Sequence, residues 1–364
     1  MKKIKRKKKK KFNKLYISTI FIVIVIISLI FFCFINTLAI STKSKKVTIK
    51  IESGSSIKNI VHILKENDLI RNEYFTLIYI KLNNINDLKA GEYLLNKNLT
   101  PKEIFSILNK GSNIKEETLK ITFNEGKNMR GIAKIIDENT VNNYEDVFNL
   151  LEDKEYIKSL INEYWFLEDV ILDENIYYPL EGYLAPNTYE FKMDASTKDI
   201  FKKMLDQTQI ILDEYKTKID SSGYNVHEIL SLASMVENEG VTLDDRKNIA
   251  GVFINRLNAN MSLGSDVTTY YAFKIDLGER DLKVSEINSD NPYNTRSSTN
   301  AGKLPVGPIC NPSKEAIISS IEYSKNNYYY FVADKNMKVY FSENSSEHTR
   351  IIKELKSKNL WYEY

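Results

Sequence analysis

Residues 119–141 read LKITFNEGKNMRGIAKIIDENTV, and they repeat the plan of VTIKIESGSSIKNIVHILKENDLI at residues 47–70. In each copy, alternating apolar residues predict a strand, a turn with glycine follows, and apolar residues at helical spacing predict a helix. At an offset of 72 residues, Gly54 aligns with Gly126. The repeated strand–glycine–helix unit predicts two small modules of the α+β class.

The chain around these two copies continues the mixed pattern. Residues 89–111, KAGEYLLNKNLTPKEIFSILNKG, predict a further strand and helix, and residues 143–178 are predicted to be helical. Helices dominate again from 197 to about 260, and NYYYFVADKNMKVYFSEN at 327–344 predicts a hairpin followed by a terminal helix. The polar stretch 262–313 is predicted to be a long loop, and a loop of this length is often functional.

The N-terminus has the charge pattern of a membrane anchor. Ten of the first fourteen residues are Lys or Arg, and an uncharged run of 26 residues follows from Leu15 to Ile40. This run exceeds the apolar region of a cleaved signal peptide and is long enough to cross a bilayer. We therefore expect a cytoplasmic tail at 1–14, a single transmembrane helix at 15–40 and an extracytoplasmic remainder.

Charge and cysteine usage exclude several classes of protein. Residues 15–364 carry 41 basic and 48 acidic side chains, so the body of the chain gives no indication of nucleic-acid binding. Cys33 lies in the apolar run, Cys310 is alone in the remainder, and three histidines are scattered. We therefore expect no metal site, no cofactor and no disulfide within the soluble part.

The stretch LASMVENEG at residues 232–240 ends an apolar helix with two glutamates and a glycine. The helix is predicted to begin at Asn225, because Glu228 follows three residues later and the pair matches a capping box. Gly240 lets the chain leave the helix.

The two glutamates of this stretch are predicted to face different sides of the helix. At about 100° per residue, Glu237 falls on the apolar stripe of Leu230 and Ala233, whereas Glu239 falls about 200° further round. Apolar surroundings favour the protonated form of a carboxyl, which suits a general acid. The alternative is that Glu237 forms an ion pair with Arg246 or Arg256 and does no chemistry, and spacing alone leaves both possibilities open.

Five ordered motifs resemble the YceG-like, or endolytic murein transglycosylase, family. They are LASMVENEG at 232–240, IAGVFINRL at 249–257, SDVTTYYA at 265–272, PYNTR at 292–296 and LPVGPICNP at 304–312. The upstream pieces IESGSS, EGKNMRGIA and LEGYLAPNTYEF agree with the same family pattern. The chain departs from it at Val267, where proline is usual, and at Arg296, where an aromatic residue is usual. The resemblance implies a LysM-like module at 44–112, which would hold glycan, and a catalytic domain at 113–364.

The resemblance also implies a reaction and a catalytic residue. Glu237 would be the acid/base that cleaves the β-1,4 bond between N-acetylmuramic acid and N-acetylglucosamine within nascent strands. The product would end in 1,6-anhydro-N-acetylmuramic acid, so one carboxyl would suffice where ordinary glycosidases use two.

The other motifs supply candidate substrate-binding side chains. They are Asp266, Thr268, Tyr293, Asn294, Thr295 and Tyr189. The hydroxyls and amide would hydrogen-bond to sugars and Tyr189 would stack on a sugar ring, although Asp266 could equally serve in a turn or cap. The segment LPVGPI at 304–309 could form a groove wall or a plain structural turn.

The expected partners follow from this assignment. They are peptidoglycan strands, membrane lipid around residues 15–40 and, as candidates, the peptidoglycan synthases of the elongation machinery, whose strands the enzyme would terminate. No nucleic-acid partner is expected. A different class of function also fits the sequence, namely a non-catalytic, membrane-anchored scaffold that binds the cell wall. A hydrolase is a weaker option, because it would need a second carboxylate.

Overall fold

The structure, a computed structural model, describes residues 2–114 and 118–361, with side chains described from Tyr16 onward. The side chains of the predicted cytoplasmic tail therefore lie outside the described residues. The chain forms two compact units, residues 1–116 and 117–364. Both contain helices and short antiparallel sheets, which confirms the mixed α+β class.

The first unit is built on a two-stranded sheet with helices packed against it. Its elements are α1 (Lys2–Thr37), β1 (Lys46–Ile51), α2 (Ile57–Glu66), α3 (Glu73–Leu82), β2 (Gly91–Asn96) and α4 (Pro101–Lys110). β1 and β2 are antiparallel, with Lys46 opposite Asn96. Helix α4 begins with a capping box between Thr100 and Glu103. Alternate residues of both strands, among them Ile49, join the helices in one apolar core.

Helix α1 contains the apolar run. Its segment Tyr16–Thr37 is 22 residues long, apolar and without charge, which fits a single-pass membrane anchor. Its large apolar side chains are exposed from Tyr16 to Phe34. The helix ends at Thr37, three residues before the predicted end at Ile40. Beyond it the backbone oxygen of Ala39 accepts a hydrogen bond from Arg71 at 2.7 Å, so this stretch belongs to a turn.

The second unit holds the remaining motifs. Its helices and strands are β3 (Thr118–Phe123), α5 (Met129–Asn139), α6 (Tyr144–Glu152), α7 (Lys154–Glu163), β4 (Asn187–Lys192), α8 (Thr197–Ser222), α9 (Val226–Glu239), α10 (Leu243–Asn258), α11 (Asp266–Ala272), α12 (Val284–Ile287), α13 (Lys314–Ile321), β5 (Tyr330–Ala333), β6 (Val339–Ser342) and α14 (Ser345–Ser357). Single turns of 3-10 helix lie at Asp169–Leu172 and Ser298–Asn300. β3 pairs with β4 and β5 with β6, both antiparallel.

The sequence repeat is confirmed in register. Strands β1 and β3 begin 72 residues apart, and so do helices α2 and α5. Between strand and helix, Gly54 and Gly126 adopt the same left-handed conformation, with φ of +79° and +71°. Because a side chain at such a φ is strained, glycine is the residue that allows this turn in both copies.

Helix α9 is the central element of the second unit. Its side chains are buried on every face from Val226 to Val236, and helices α10 and α13 pack against it. The predicted capping box between Asn225 and Glu228 is present. A helix that is buried on all faces lies inside a core, so Glu237 stands at the point where this buried helix reaches the site described below.

The predicted polar loop at 262–313 is wrong in part, because it contains α11, α12 and a 3-10 turn. Asp266, predicted on a loop, is the first residue of α11. These helices are too short for apolar periodicity to reveal them. The segment is ordered by bonds from side chain to backbone, such as those from Asn294 Nδ2 to the carbonyl oxygens of Ile287 and Ser289, at 2.9 and 2.7 Å.

Candidate functional site

Glu237 lies in the last turn of α9 with a side chain that is 7% exposed. Its Oε1 accepts a hydrogen bond from Arg246 Nη2 at 2.9 Å. Its Oε2 accepts one from the Ser313 backbone N at 2.9 Å and another from the Ser313 hydroxyl. Of the two ion pairs that the sequence left open, the one with Arg246 forms. Arg256 instead donates to backbone carbonyl oxygens, including that of Tyr329 at 2.6 Å.

The two donors are positioned by the starts of two helices. Arg246 lies near the start of α10, and its Nε also donates to the Gly240 carbonyl oxygen at 3.1 Å. Ser313 is the N-cap of α13, and its hydroxyl accepts from the backbone N of Ala316 at 3.2 Å. A Cβ on Gly240 would lie 2.6 Å from Arg246 Cγ, so this glycine allows the close approach of Arg246 as well as the end of α9.

A second carboxyl, that of Glu125, lies near Glu237. It belongs to the turn 124–128, whose Gly126 backbone N donates to the Asn311 carbonyl oxygen at 3.0 Å. A Cβ on Gly126 would lie 3.7 Å from Glu237 Cγ, so the turn passes directly over the Glu237 side chain. Burial, together with the negative charges of Glu237 and Glu315, raises the pKa of the Glu125 carboxyl.

Two pockets open on either side of this turn. The basic pocket, of about 550 Å³, includes Lys127, Arg130, Lys134, Tyr144, Asn238 and Lys274 in its lining. The polar pocket, of about 640 Å³, includes Asn124, Glu125, Asn187, Gln207, Lys314 and Glu315. The turn 124–128 contributes residues to both pockets. Glu237 is in neither described lining, but the next residue, Asn238, lines the basic pocket, and the turn packed on Glu237 lines both pockets.

Glu239 has different partners from Glu237, but the prediction that only Glu237 is tied to the buried side of α9 is wrong. Glu239 is partly buried, and its Oε1 accepts a hydrogen bond from Ser265 Oγ at 2.7 Å. Burial, aided by the nearby Asp266 charge, raises the pKa of Glu239 to about 7. The second face of α9 is also covered, because the segment around Ser265 packs against the helix end at Glu239.

Four of the predicted sugar-binding residues are buried and have internal partners. Thr268, Tyr293, Asn294 and Thr295 are at most 1% exposed. The hydroxyls of Thr268 and Thr295 are 2.8 Å apart, and Asn294 Oδ1 accepts from Thr269 Oγ1 at 2.6 Å. These bonds tie α11 to the segment that follows α12. Direct sugar contact by these four side chains stays a prediction.

The other two predicted residues lie in different surroundings. Tyr189 is 6% exposed, packs against Phe123 and donates its hydroxyl to the Ala185 carbonyl oxygen at 2.7 Å. Asp266 is exposed and forms an ion pair with Arg296, which stands where the family pattern has an aromatic residue. Of the six, Asp266 is therefore the side chain with most of its surface open to solvent, and sugar binding by either residue stays a prediction.

The segment 304–309 lies along α9. A Cβ on Gly307 would be 3.3 Å from His227 Cε1, and the backbone N of Ile309 donates to Ser234 Oγ at 3.0 Å. The glycine thus allows close packing against α9. Ile309 and the buried Cys310 form part of the wall of the basic pocket.

Glu181, a buried carboxyl near the basic pocket, was not predicted from the sequence. Its Oε2 accepts from the Met129 backbone N at 2.9 Å and from Tyr271 Oη at 3.0 Å, and its Oε1 accepts from Asn311 Nδ2 at 3.2 Å. Burial raises the pKa of Glu181 to about 8. It joins the start of α5, helix α11 and the Asn311 segment.

Simple signals in the sequence could have indicated two of the missed residues. Glu125 stands where the first copy of the repeat has Ser53, so it is a charged residue that appears in one copy only. Glu181 is a lone acid within the apolar stretch YYPLEGYLAP at 177–186. Ser313 carried no such signal.

Comparisons with known proteins agree on one family. The family model described as "YceG-like family" matches residues 49–354. The endolytic murein transglycosylase of Bacillus subtilis (strain 168) is 35% identical over 309 residues, which cover 84% of this chain and 83% of that protein. The protein of the same name from Streptococcus pneumoniae serotype 2 (strain D39) is 34% identical over 336 residues. That match covers 88% of this chain but 60% of the pneumococcal protein.

A solved structure shows the same relationship. A 2.6 Å crystal structure of a YceG-like protein from Listeria monocytogenes has a TM-score of 0.59 and 32% sequence identity. The match covers 85% of this chain and 100% of that chain. The sequence comparisons and the structure comparison thus agree on the YceG-like family.

Proposed function

The chain belongs to the YceG-like family, and on that premise we propose that it is a membrane-anchored endolytic peptidoglycan transglycosylase. It cleaves the β-1,4 bond between N-acetylmuramic acid and N-acetylglucosamine within a strand and leaves 1,6-anhydro-N-acetylmuramic acid ends. The names of its relatives support the reaction class. The observation that carries the proposal is the Glu237 carboxylate, held by Arg246 and Ser313 beneath a turn that borders two pockets.

In the proposed mechanism, Glu237 acts first as acid and then as base. Its carboxyl gives a proton to the glycosidic oxygen as the bond from that oxygen to C1 breaks. Arg246 and Ser313 stabilise the carboxylate that remains, because charge-assisted hydrogen bonds favour the anion. The sugar's 6-hydroxyl then forms a bond to C1 and returns its proton to Glu237. Atoms and charge balance without water.

The two pockets provide room for sugars on both sides of the cleaved bond. Each has a volume within the range that is usual for ligand sites, at about 550 and 640 Å³. In this proposal a strand runs from one pocket to the other along the edge of the turn 124–128, with its scissile bond next to the Glu237 carboxyl. Contacts on both sides of that bond suit cleavage inside a strand rather than at its end. Of the predicted sugar contacts, Asp266 has the most open side chain.

The test is a digest of purified glycan strands by the full-length chain, analysed by mass spectrometry. We expect strand fragments with anhydro ends. Reducing ends in place of anhydro ends would identify a hydrolase, for which Glu125 could supply the second carboxylate. Binding to strands without any cleavage would identify a scaffold and refute the proposed activity.

The proposal extends to the anchor and to the module at 44–112. Helix α1 holds the enzyme at the membrane with its N-terminus in the cytoplasm and the catalytic domain, residues 113–364, outside. There it meets nascent strands, so synthases of the elongation machinery are candidate partners and cleavage ends elongation. The module at 44–112 is LysM-like and holds the strand.

Deletion of residues 44–112, with the anchor kept, tests the role of the module. We expect weaker binding to isolated wall material. The effect on turnover of short fragments should be smaller, because short fragments do not need to bind the module. Co-sedimentation with wall material measures the first quantity and product release the second. Equal co-sedimentation with and without residues 44–112 would refute the proposal that this module holds glycan strands.

A further inference from the structure

The basic pocket has a charge opposite to that of the body of the chain. Four cationic side chains line it, those of Lys127, Arg130, Lys134 and Lys274, and Asp276 is the one acid in its described lining. Residues 15–364 carry more acidic than basic groups. A concave, locally positive site in an acidic protein concentrates anions.

Among the residues that the structure describes, the lysines of this pocket have few acidic partners. Arg130 is paired with Asp276 at 2.8 Å, which neutralises the acid in the lining. Lys134 is 72% exposed and stands 3.9 Å from Glu138, at the limit of an ion pair. The Lys274 Nζ lies 4.8 Å from the centre of the Tyr177 ring rather than against a carboxylate. The pocket therefore keeps ammonium groups for a ligand.

The backbone at Lys274 gives a second indication of function. Its φ is +55°, in the left-handed region where glycine or asparagine is the usual choice at the end of a helix. A lysine at this position is strained, and local strain of this kind often marks a functional side chain. The Lys274 side chain contacts the rings of Tyr177 and Tyr178 and is part of the pocket lining.

Apolar side chains line the pocket together with the charged ones. Val267, Leu277 and Ile309 line it together with Tyr144 and the Lys274 stem. Asn238, the neighbour of Glu237 in the chain, lies at its edge. A ligand that matches these features carries several anionic groups on a scaffold with small apolar side chains, and it extends from a group bound at Glu237.

We propose that the basic pocket binds the carboxylates of the short peptide carried by the muramoyl residue next to the cleaved bond. This inference rests on the proposed transglycosylase function and narrows its substrate to peptide-bearing strands. The peptide supplies free carboxylates and methyl-bearing residues, whereas a strand without peptides offers a single lactyl carboxylate on each muramoyl residue. The pocket thus distinguishes strands that still bear peptides from strands that have lost them.

The test uses the full-length double variant Lys134→Gln, Lys274→Asn. Gln is well tolerated in the exposed face of α5, and asparagine tolerates the left-handed conformation of position 274, so the fold is kept while two charges are removed. The matched control is Lys353→Gln, which removes an exposed charge from α14, outside the pocket lining. Substrates are peptide-bearing strands, the same strands with their peptide carboxylates amidated, and strands freed of peptide.

We expect the double variant to lose about tenfold in kcat/KM on peptide-bearing strands, mainly through KM, because two solvent-accessible ion pairs are lost. The parent should prefer peptide-bearing over amidated and peptide-free strands, and the double variant should lose most of that preference. Lys353→Gln should match the parent. A preference that is unchanged in the double variant, or a parent that prefers peptide-free strands, would overturn the proposal.

A binding measurement separates this inference from the proposed reaction. Calorimetric titration of the chain with a peptide-bearing tetrasaccharide and with its peptide-free counterpart requires no cleavage. Tighter binding of the peptide-bearing ligand by the parent but not by the double variant supports the pocket even if no product forms. Equal affinities of the parent for both ligands refute it even if cleavage is observed.

Discussion

Replacement of Glu237 by Gln should reduce both turnover and stability, and the structure gives the size of each effect. A Gln amide has one oxygen where the carboxylate has two, so it can satisfy Arg246 or Ser313 but not both. Arg246 is 13% exposed, and the substitution leaves this nearly buried charge without the negative charge of Glu237. Such a loss costs about 3–5 kcal/mol of the free energy of unfolding. Loss of acid–base catalysis should reduce turnover by about 10²–10⁴-fold.

A second variant separates chemistry from stability. The double change Glu237→Gln, Arg246→Gln removes the stranded guanidinium and should recover part of the stability, but it cannot restore the proton donor. The control is Glu152→Gln, an exposed glutamate at the end of α6. Glu239 is unsuitable as a control because it accepts a hydrogen bond from Ser265.

The assay is anhydro-ended product per folded molecule, with the folded fraction taken from urea unfolding of each variant. If Glu237 were merely half of a structural ion pair, turnover per folded molecule in Glu237→Gln would stay close to the parental value. That result would refute the catalytic assignment. A recovery of turnover in the double variant together with its stability would refute it equally.

Three further predictions follow from the geometry. Gly240→Ala would place a methyl group 2.6 Å from Arg246 Cγ, so urea unfolding should show a loss of about 1–3 kcal/mol and product assays a lower turnover; parental values in both would contradict this. Because the pKa of Glu181 is raised from 4.5 to about 8, the folded protein holds a proton that the unfolded chain loses, and the free energy of unfolding should fall as pH rises from about 4.5 to 8. Glu181→Gln should flatten that fall between pH 5 and pH 8 in urea titrations, and identical slopes would count against it. Protease added to intact wall-less cells should degrade the body of the chain and spare an N-terminal fragment, whereas full protection of the body would reverse the membrane orientation.

Features encoded within a few neighbouring residues could be predicted from the sequence. The strand–glycine–helix repeat is found with the same offset of 72 residues, because alternation, a left-handed glycine and helical periodicity each act locally. The start of α9 at Asn225 was predictable for the same reason, since a capping box spans four residues. The hairpin of β5 and β6 is likewise confirmed, because its strands flank a short turn.

The partners of the candidate catalytic carboxyl were decided by tertiary structure. Glu237 meets Ser313 across 76 residues of sequence, and the turn that carries Glu125 passes over it from a still more distant part of the chain. No local sequence pattern predicts these contacts, because they depend on how α9, α13 and the turn 124–128 pack together. Likewise, the side chain of Asn294, predicted to bind sugar, is buried because its segment packs against α11 and the end of α12.

The two glutamates of LASMVENEG show most clearly which features the sequence determined and which the tertiary structure decided. The sequence determined that α9 is apolar and ends at Gly240, and thus that both carboxyls lie where a buried helix ends. An ideal helix places the two carboxyls on different faces. From this the sequence predicted that only Glu237 lies on the buried, apolar side. Tertiary structure placed Arg246 and Ser313 against Glu237 and Ser265 against Glu239. The physical reason is that the angle between two side chains is set by their own helix, whereas the surroundings of each are set by the segments that fold against the helix end.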